Sequence, residues 1–444
     1  MKKKLVTMLL ATTMVASMFA GCGSDGGSKN SSDSGSVYML NFKPETDQAW
    51  QDLAKEYSDE KGVDVTVVTA ADGQYKTQLQ SELAKKEAPT IFNIGSTSDC
   101  AEYADYIYDL KDSEIYKHQS DKSLSLEYDG KVAAVANCYE CYGIIYNKAI
   151  LENYCKNYPD AVIKSVDDIK DLDTLEKVAT DINSNVDKIN EACGTHITEA
   201  FASAGLDDGS NWRFSGHLAG IELYYEFKDA GCDLTAGQKE VTGKYMDNFK
   251  RVWDMYTNTS AADKATLDSG SFDAEAELGM EEAVFYQNGS WEYGELSKTY
   301  SDDELAMIPI YFGVDDENEG LATGTENFWC VNKEASEEDI QATLDFMNWC
   351  VTSEDGTKAM SEDMGFTIPF KTAQEPTNVF VKQDAEYTAA GLTPVSWNFT
   401  TMPSEEWKNG LGTALTLYAA GSGSWDDVVS AFVDNWATEK ALSE

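Results

Sequence analysis

The chain has 444 residues, is 42% hydrophobic and 11% aromatic, and sets 34 Lys+Arg against 78 Asp+Glu, a formal net charge of −44. That length allows two or three domains with a core needing neither disulfides nor metals, and ten Trp, 23 Tyr and 17 Phe exclude a disordered acidic chain. The acid excess excludes nucleic-acid binding, which needs a basic face, and disfavours attraction to an anionic lipid surface.

Lys2, Lys3 and Lys4 precede an apolar run from Leu5 to Phe19 that is too short to span a membrane and suits a secretory signal. Phe19-Ala20-Gly21-Cys22 follows and resembles a bacterial lipobox. Residues 1–21 are therefore expected to be a signal peptide, Cys22 the lipidated residue, and 22–36, rich in Gly, Ser, Asp and Asn, a flexible linker on a lipid anchor. Gly21, Gly23 and Gly26 spell GxGxxG without a strand before or a helix after, so no dinucleotide site is read there. Eight cysteines remain: Cys100, Cys138, Cys141, Cys155, Cys193, Cys232, Cys330 and Cys350. Buried free thiols are expected. Cys138 and Cys141 form an isolated CxxC without the second pair or nearby His that zinc needs.

The body opens with alternating elements: a strand at Val37–Phe42, a helix with Trp50, Leu53, Ala54 and Tyr57 on one side that stops at Gly62, and a β-branched strand at Val63–Thr69. A helix over Gln74–Lys86 and a strand at Thr90–Phe92 continue the pattern, which predicts a mostly parallel sheet with helices on both faces. Val132–Ala136 and Tyr142–Tyr146 read as extended, and Ile150–Val284 as largely helical, with a small acidic helix at Ser271–Met280. Ala283–Tyr286, Leu305–Tyr311 and Asn327–Asn332 read as strands, and Ser336–Val351 as an amphipathic helix with Ile340, Leu344, Met347 and Cys350 inward. Asp315–Gly320 is an acidic loop without EF-hand spacing.

Several of these segments carry a resemblance. Asp129-Gly130-Lys131, Tyr142-Gly143-Ile144-Ile145-Tyr146-Asn147-Lys148, Ala283 to Trp291 with its Asn288-Gly289-Ser290-Trp291 end, Thr325 to Asn332, and Gly365-Phe366-Thr367-Ile368-Pro369 occur in order. Together they resemble the extracellular carbohydrate-binding proteins of bacterial ABC importers, of the maltose-binding-protein-like kind. The resemblance implies an α/β fold of two lobes, each a mostly parallel sheet flanked by helices, with a hinge between them and sugar bound in the cleft. It places residues 37–140 and 325–371 in the N-terminal lobe and 141–324 and 372–444 in the C-terminal lobe, with crossings near Tyr139–Ile144, Gly320–Glu326 and Thr372. The partners it implies are an oligosaccharide and the transmembrane permease subunits. A monomer without cofactor or metal is expected on the outer face of a Gram-positive-type cell membrane.

A sugar offers hydroxyls to fixed donors and acceptors, and flat C–H faces to aromatic rings. Trp291 matches the family's ring-stacking Trp, and Glu140 an acid that contacts sugar. Tyr139 and Tyr142 flank Glu140 and are expected to face away from it. Lys43 follows the first strand; Ser96 and Asp99 follow the third. Asn211, Trp212 and Arg213 resemble a second-lobe segment of the family, with Asn211 where the family has an acid. Glu326 and Asn327 sit at the second crossing, and Trp397 and Trp407 in the C-terminal segment. Malto-oligosaccharides come first as cargo, then raffinose-type galactosides, then xylan or mannan fragments. A polyamine or peptide receptor is the alternative. A secreted glycoside hydrolase is the second alternative, for which no carboxylate pair stands out and no GxSxG or HExxH occurs.

Overall fold

The first strand, β1 (Ser36–Asn41), buries Val37, Met39 and Leu40. Helix Asp47–Lys61 returns with Trp50, Leu53, Ala54 and Tyr57 inward and ends at Gly62, whose φ of 71° is the left-handed cap that glycine adopts without strain. β2 (Asp64–Thr69) and β3 (Ile91–Ile94) then pair in parallel on either side of β1. β4 (Ser125–Tyr128) and β5 (Lys131–Ala136) form a hairpin closed by Asp129 and Gly130 at φ 50° and 74°, the two positive-φ positions of a tight hairpin turn. β6 (Glu140–Asn147), β7 (Phe201–Ala202), β8 (Phe285–Gly289), β9 (Leu305–Ile308) and β10 (Glu319–Gly324) follow, then β11 (Phe328–Val331) and β12 (Thr393–Ser396). This computed structural model describes residues 35–443 except 72, 208, 235, 236, 270–272, 327 and 375. The expected signal peptide, lipidated Cys22, nearly all of the linker, and Asn327 lie outside the described residues.

One sheet has the order β2-β1-β3-β11-β5-β4; the other runs β12-β10-β6-β8-β7, with β9 also on β6. Two lobes flanked by helices result, but the sheets are mixed rather than mostly parallel. β11 lies antiparallel to β3 and β5, and β6 antiparallel to β8, β9 and β10. The reason is connectivity. Parallel neighbours need a long crossover, and the chain instead passes directly from one sheet to the other between β5 and β6 and between β10 and β11. A third passage lies between Gln374, which donates to Thr357 Oγ1 (2.9 Å), and Asn378, which donates to Ser290 O (2.8 Å).

Helix Glu337–Thr352 is capped by Ser336, whose Oγ accepts from Asp339 N (3.1 Å). Its buried face centres on Thr343, Phe346, Met347 and Cys350, so Ile340 and Leu344 are only half-buried. The rotation follows from Tyr57, whose ring meets Phe346 and Trp349 edge-on at 5.0 and 5.1 Å. The second lobe is closed by helices Glu405–Ala419 and Trp425–Ser443, between which Trp407, Phe432 and Trp436 interlock. All eight described cysteines are unpaired, six of them buried.

Candidate functional site

β6 and β8 run side by side, pairing Tyr142 with Gly289. Their ends set out an aromatic surface. Tyr142 projects on the same side as Glu140, since residues two apart in a strand share a face. This corrects the expectation that Tyr142 turns away from Glu140. Cys141, between them, packs in the opposite cluster with Ala202, Leu278 and Phe380. Tyr139 is held at the crossing, its N–H donating to Thr367 O (2.7 Å).

After β8 the chain makes a single turn, Ser290–Glu292, and lays the Trp291 ring back over Gly289. A Cβ on Gly289 would lie 2.0 Å from that ring, so only glycine permits the arrangement. Trp291 then meets Tyr142 (5.8 Å between centroids), Trp212 (5.8 Å), His217 (5.7 Å) and Trp397 (6.5 Å). His217 stacks on Tyr142 at 3.8 Å and 3°, with Trp397 and Phe399 edge-on to it at 4.8 and 4.9 Å. Tyr142, His217 and Phe399 are buried, while Trp212, Trp291 and Trp397 each keep part of the ring open. Trp397 Nε1 and His217 Nδ1 are buried without a partner. Burial, then Arg213, Lys408 and Lys43, hold the His217 imidazole well below its usual pKa, so it is neutral.

Polar groups rim the rings. Lys43 Nζ donates to Glu140 Oε1 at 2.9 Å, lies 3.4 Å from Glu45 and sits 5.3 Å from the Trp291 ring centre. Burial pushes the Lys43 ammonium down, but Glu140 and Glu45 outweigh it and hold it above its ordinary value. Burial also raises the Glu140 carboxyl, against the pull of Lys43. This pair links the end of β1 in one lobe to the start of β6 in the other. On the opposite side, Ser96 caps helix Thr97–Glu102 by accepting from Asp99 N (3.1 Å), while Asp99 Oδ2 accepts from Gly95 N (2.9 Å). They face Phe399, Met402, Glu405 and Lys408 across a cavity of about 420 Å³, with Glu326 of the second crossing at its wall. Lys408 pairs with Glu405 (2.6 Å) and more loosely with Glu326 (3.8 Å).

Three expected site residues have local duties. Asn211 turns inward, accepts from Ser215 Oγ (3.3 Å) and packs against Gly412. Trp212 donates its Nε1–H to Gly209 O (2.9 Å), which fixes a ring that is half-buried. Arg213 lies with Cζ 4.2 Å from the centre of that ring. Trp407 is a correction: it is wholly buried, donates Nε1–H to Phe432 O (2.9 Å) and belongs to the helix-pair core. His217, Phe399 and Lys408 were missed. Arg213 and His217 stand four apart at a helix start, the spacing that shares a face, which was the available signal for His217. Among the described residues no cluster of three metal-binding side chains occurs, and no helix is long and apolar enough to cross a membrane.

Residues 52–389 match the family described as bacterial extracellular solute-binding protein. No curated protein matches the chain. Among solved structures, RafE in complex with raffinose superposes with a TM-score of 0.68 at 16% identity, over 91% of this chain and 99% of that one. The GacH receptor of Streptomyces glaucescens, solved unliganded and with acarbose, gives 0.65 at 16%, over 92% and 99%. A sugar transporter from Bacillus licheniformis in complex with stachyose gives 0.65 at 16%, over 91% and 100%. At these identities the likeness establishes the fold.

Proposed function

This chain belongs to the bacterial extracellular solute-binding proteins, and from that premise we propose that it is the membrane-tethered receptor of an ABC importer for an oligosaccharide. Residues 37–140 with 325–371 and 141–324 with 372–444 are the two lobes that close on the sugar and present it, as a monomer, to the permease. Cys22 carries the lipid that holds the receptor at the outer face of the membrane. The observation that carries the reading is the trio Trp212, Trp291 and Trp397, half-buried side chains of which Trp291 meets the other two beside buried, oriented polar groups. Sugar C–H faces stack on such rings, and more than one ring suits more than one sugar unit. Malto-oligosaccharides head the neutral candidates, before raffinose-type galactosides and xylan or mannan fragments.

A polyamine would need carboxylates free to receive ammonium groups. Of the carboxyls nearby, Glu140 and Glu326 already face Lys43 and Lys408, and burial lifts Glu292 to a pKa of about 8, which supports sugar over polyamine. The test is a thermal-melt screen against oligosaccharides, polyamines and peptides. A ligand at about 100 times its Kd adds about 2.7 kcal/mol of stability. A rise with one oligosaccharide class is expected; a rise only with polyamines or peptides overturns the reading.

A further inference from the structure

The whole chain holds two arginines, and they are treated differently. Arg251 is at the surface of the second lobe and is ion-paired, with Nε on Glu176 (2.9 Å) and Nη2 on Glu176 and Asp173 (both 2.5 Å). Arg213 stands in the aromatic cleft. The one hydrogen bond of its side chain among the described residues runs from Nη2 to Tyr286 Oη (3.3 Å), its Nε is buried with no partner, and it forms no ion pair there.

Stacking on Trp212 compensates part of this burial, since a cation over an indole gains about 0.5–2 kcal/mol. The side chain is half-buried and its Nε is wholly so, and leaving that donor without a carboxylate remains unfavourable. In a chain with 78 acidic residues, a partner was easy to supply. The nearby carboxyl, Glu292, does not serve. Its Oε1 accepts from Asn288 (2.5 Å) and its Oε2 is buried and unpartnered. Burial lifts its pKa to about 8 despite Arg213, so at neutral pH it is mostly protonated. Trp397 Nε1–H is a second buried donor in the same cleft with nothing to bond. Two acceptors, Glu292 Oε2 and Gln287 Oε1, are also left over, but the charged group among these unpartnered atoms is the Arg213 guanidinium.

Resting on the oligosaccharide reading above, we propose that the cargo is acidic: a hexuronate unit of the oligosaccharide brings the carboxylate that Arg213 lacks. The planar guanidinium offers a fork matched to a carboxylate, which an ammonium would not. The indole of Trp212 backs that fork and limits its rotation, so the uronate ring is oriented as well as held. Xylan fragments bearing glucuronate and oligogalacturonates both have this chemistry.

The test is calorimetric titration of the protein with trimers of galacturonate, mannuronate and guluronate and a glucuronate-substituted xylotriose, each beside its carboxyl-reduced neutral counterpart, and with maltotriose and raffinose. One acidic ligand is expected to bind on the order of 30-fold or more tighter than its reduced form. In Arg213→Gln that preference disappears, and Arg213→Lys keeps part of it. The ligand-free melting temperature of Arg213→Gln stays level or rises, because an uncompensated charge has been removed. Tight binding of a neutral oligosaccharide with no preference for any acid overturns the inference and leaves the receptor function standing. A loss of stability in Arg213→Gln with the acid preference intact also overturns it, by making Arg213 structural. Binding of no oligosaccharide of either kind overturns the receptor reading, and this inference with it.

Discussion

Trp291 is a ring held from behind by Gly289 and from the sides by Tyr142 and His217, so it is rigid before any ligand arrives. A preformed aromatic wall loses little entropy on binding, which is what concentrates affinity in such residues. Trp291→Ala should therefore cost about 2–4 kcal/mol of binding free energy, read by titration with the cargo sugar. Trp407→Ala should do the opposite: a loss of about 3–5 kcal/mol of stability from the vacated core, with the affinity of the folded protein unchanged. The two tryptophans show where local reading ends. Trp291 is legible because an apolar strand and a Gly turn precede it in sequence. Trp397 and Trp407 look alike in sequence, and their difference comes from Gly324 against one ring and the partner helix against the other.

At the level of elements, the turn after β8 and the strand pair β1–β6 control the site. Gly289→Ala should push the Trp291 ring aside and lower affinity nearly as much as Trp291→Ala, and the double variant should be little worse than either, because both changes remove one interaction. The Lys43–Glu140 pair is buried on both sides. Lys43→Met leaves the carboxylate without a partner and should cost about 3–5 kcal/mol on chemical denaturation. Adding Glu140→Gln to that variant should restore much of the loss. The first three strands and their helices were legible in sequence, since apolar period and glycine stops are local signals. β4, β7, β10 and β12 were not: β4 and β12 are only partly buried, β7 is two residues long, β10 is buried but has no apolar run, and each is defined by the neighbour it pairs with. For β4 a signal was present in Asp129-Gly130, a two-residue hairpin turn.

Across the whole molecule, acidity has a thermodynamic consequence. Glu222 accepts from Tyr245 N (2.9 Å), and its neighbour Glu226 accepts from Thr242 N and Lys244 N, so two carboxyls one helical turn apart hold the same loop. Burial, reinforced by Glu226, pushes Glu222 up to about 8; burial and Glu199 do the same to Glu277. A carboxyl whose folded pKa exceeds its unfolded value of 4.5 keeps its proton in the folded state alone between the two values. Stability then falls as pH rises from about 4.5 to about 8. The melting temperature should be higher near pH 5.5 than near pH 8.5, and Glu222→Gln should narrow that gap; an unchanged gap would show that general charge repulsion is responsible. At this scale the two-lobed architecture was legible from the order of segments along the chain. The mixed strand directions were not, because they depend on direct passages between the sheets.

In the receptor proposed here the three half-buried tryptophans form the seat of a sugar. Calorimetric titration of wild type and of the Trp291→Ala, Trp397→Ala and Trp407→Ala variants with the oligosaccharide that most raises the melting temperature tests it directly. The prediction is one site per chain, weakened in the first two variants and unaltered in the third. Equal affinity in all four proteins, or saturation by a polyamine where no sugar binds, would contradict it.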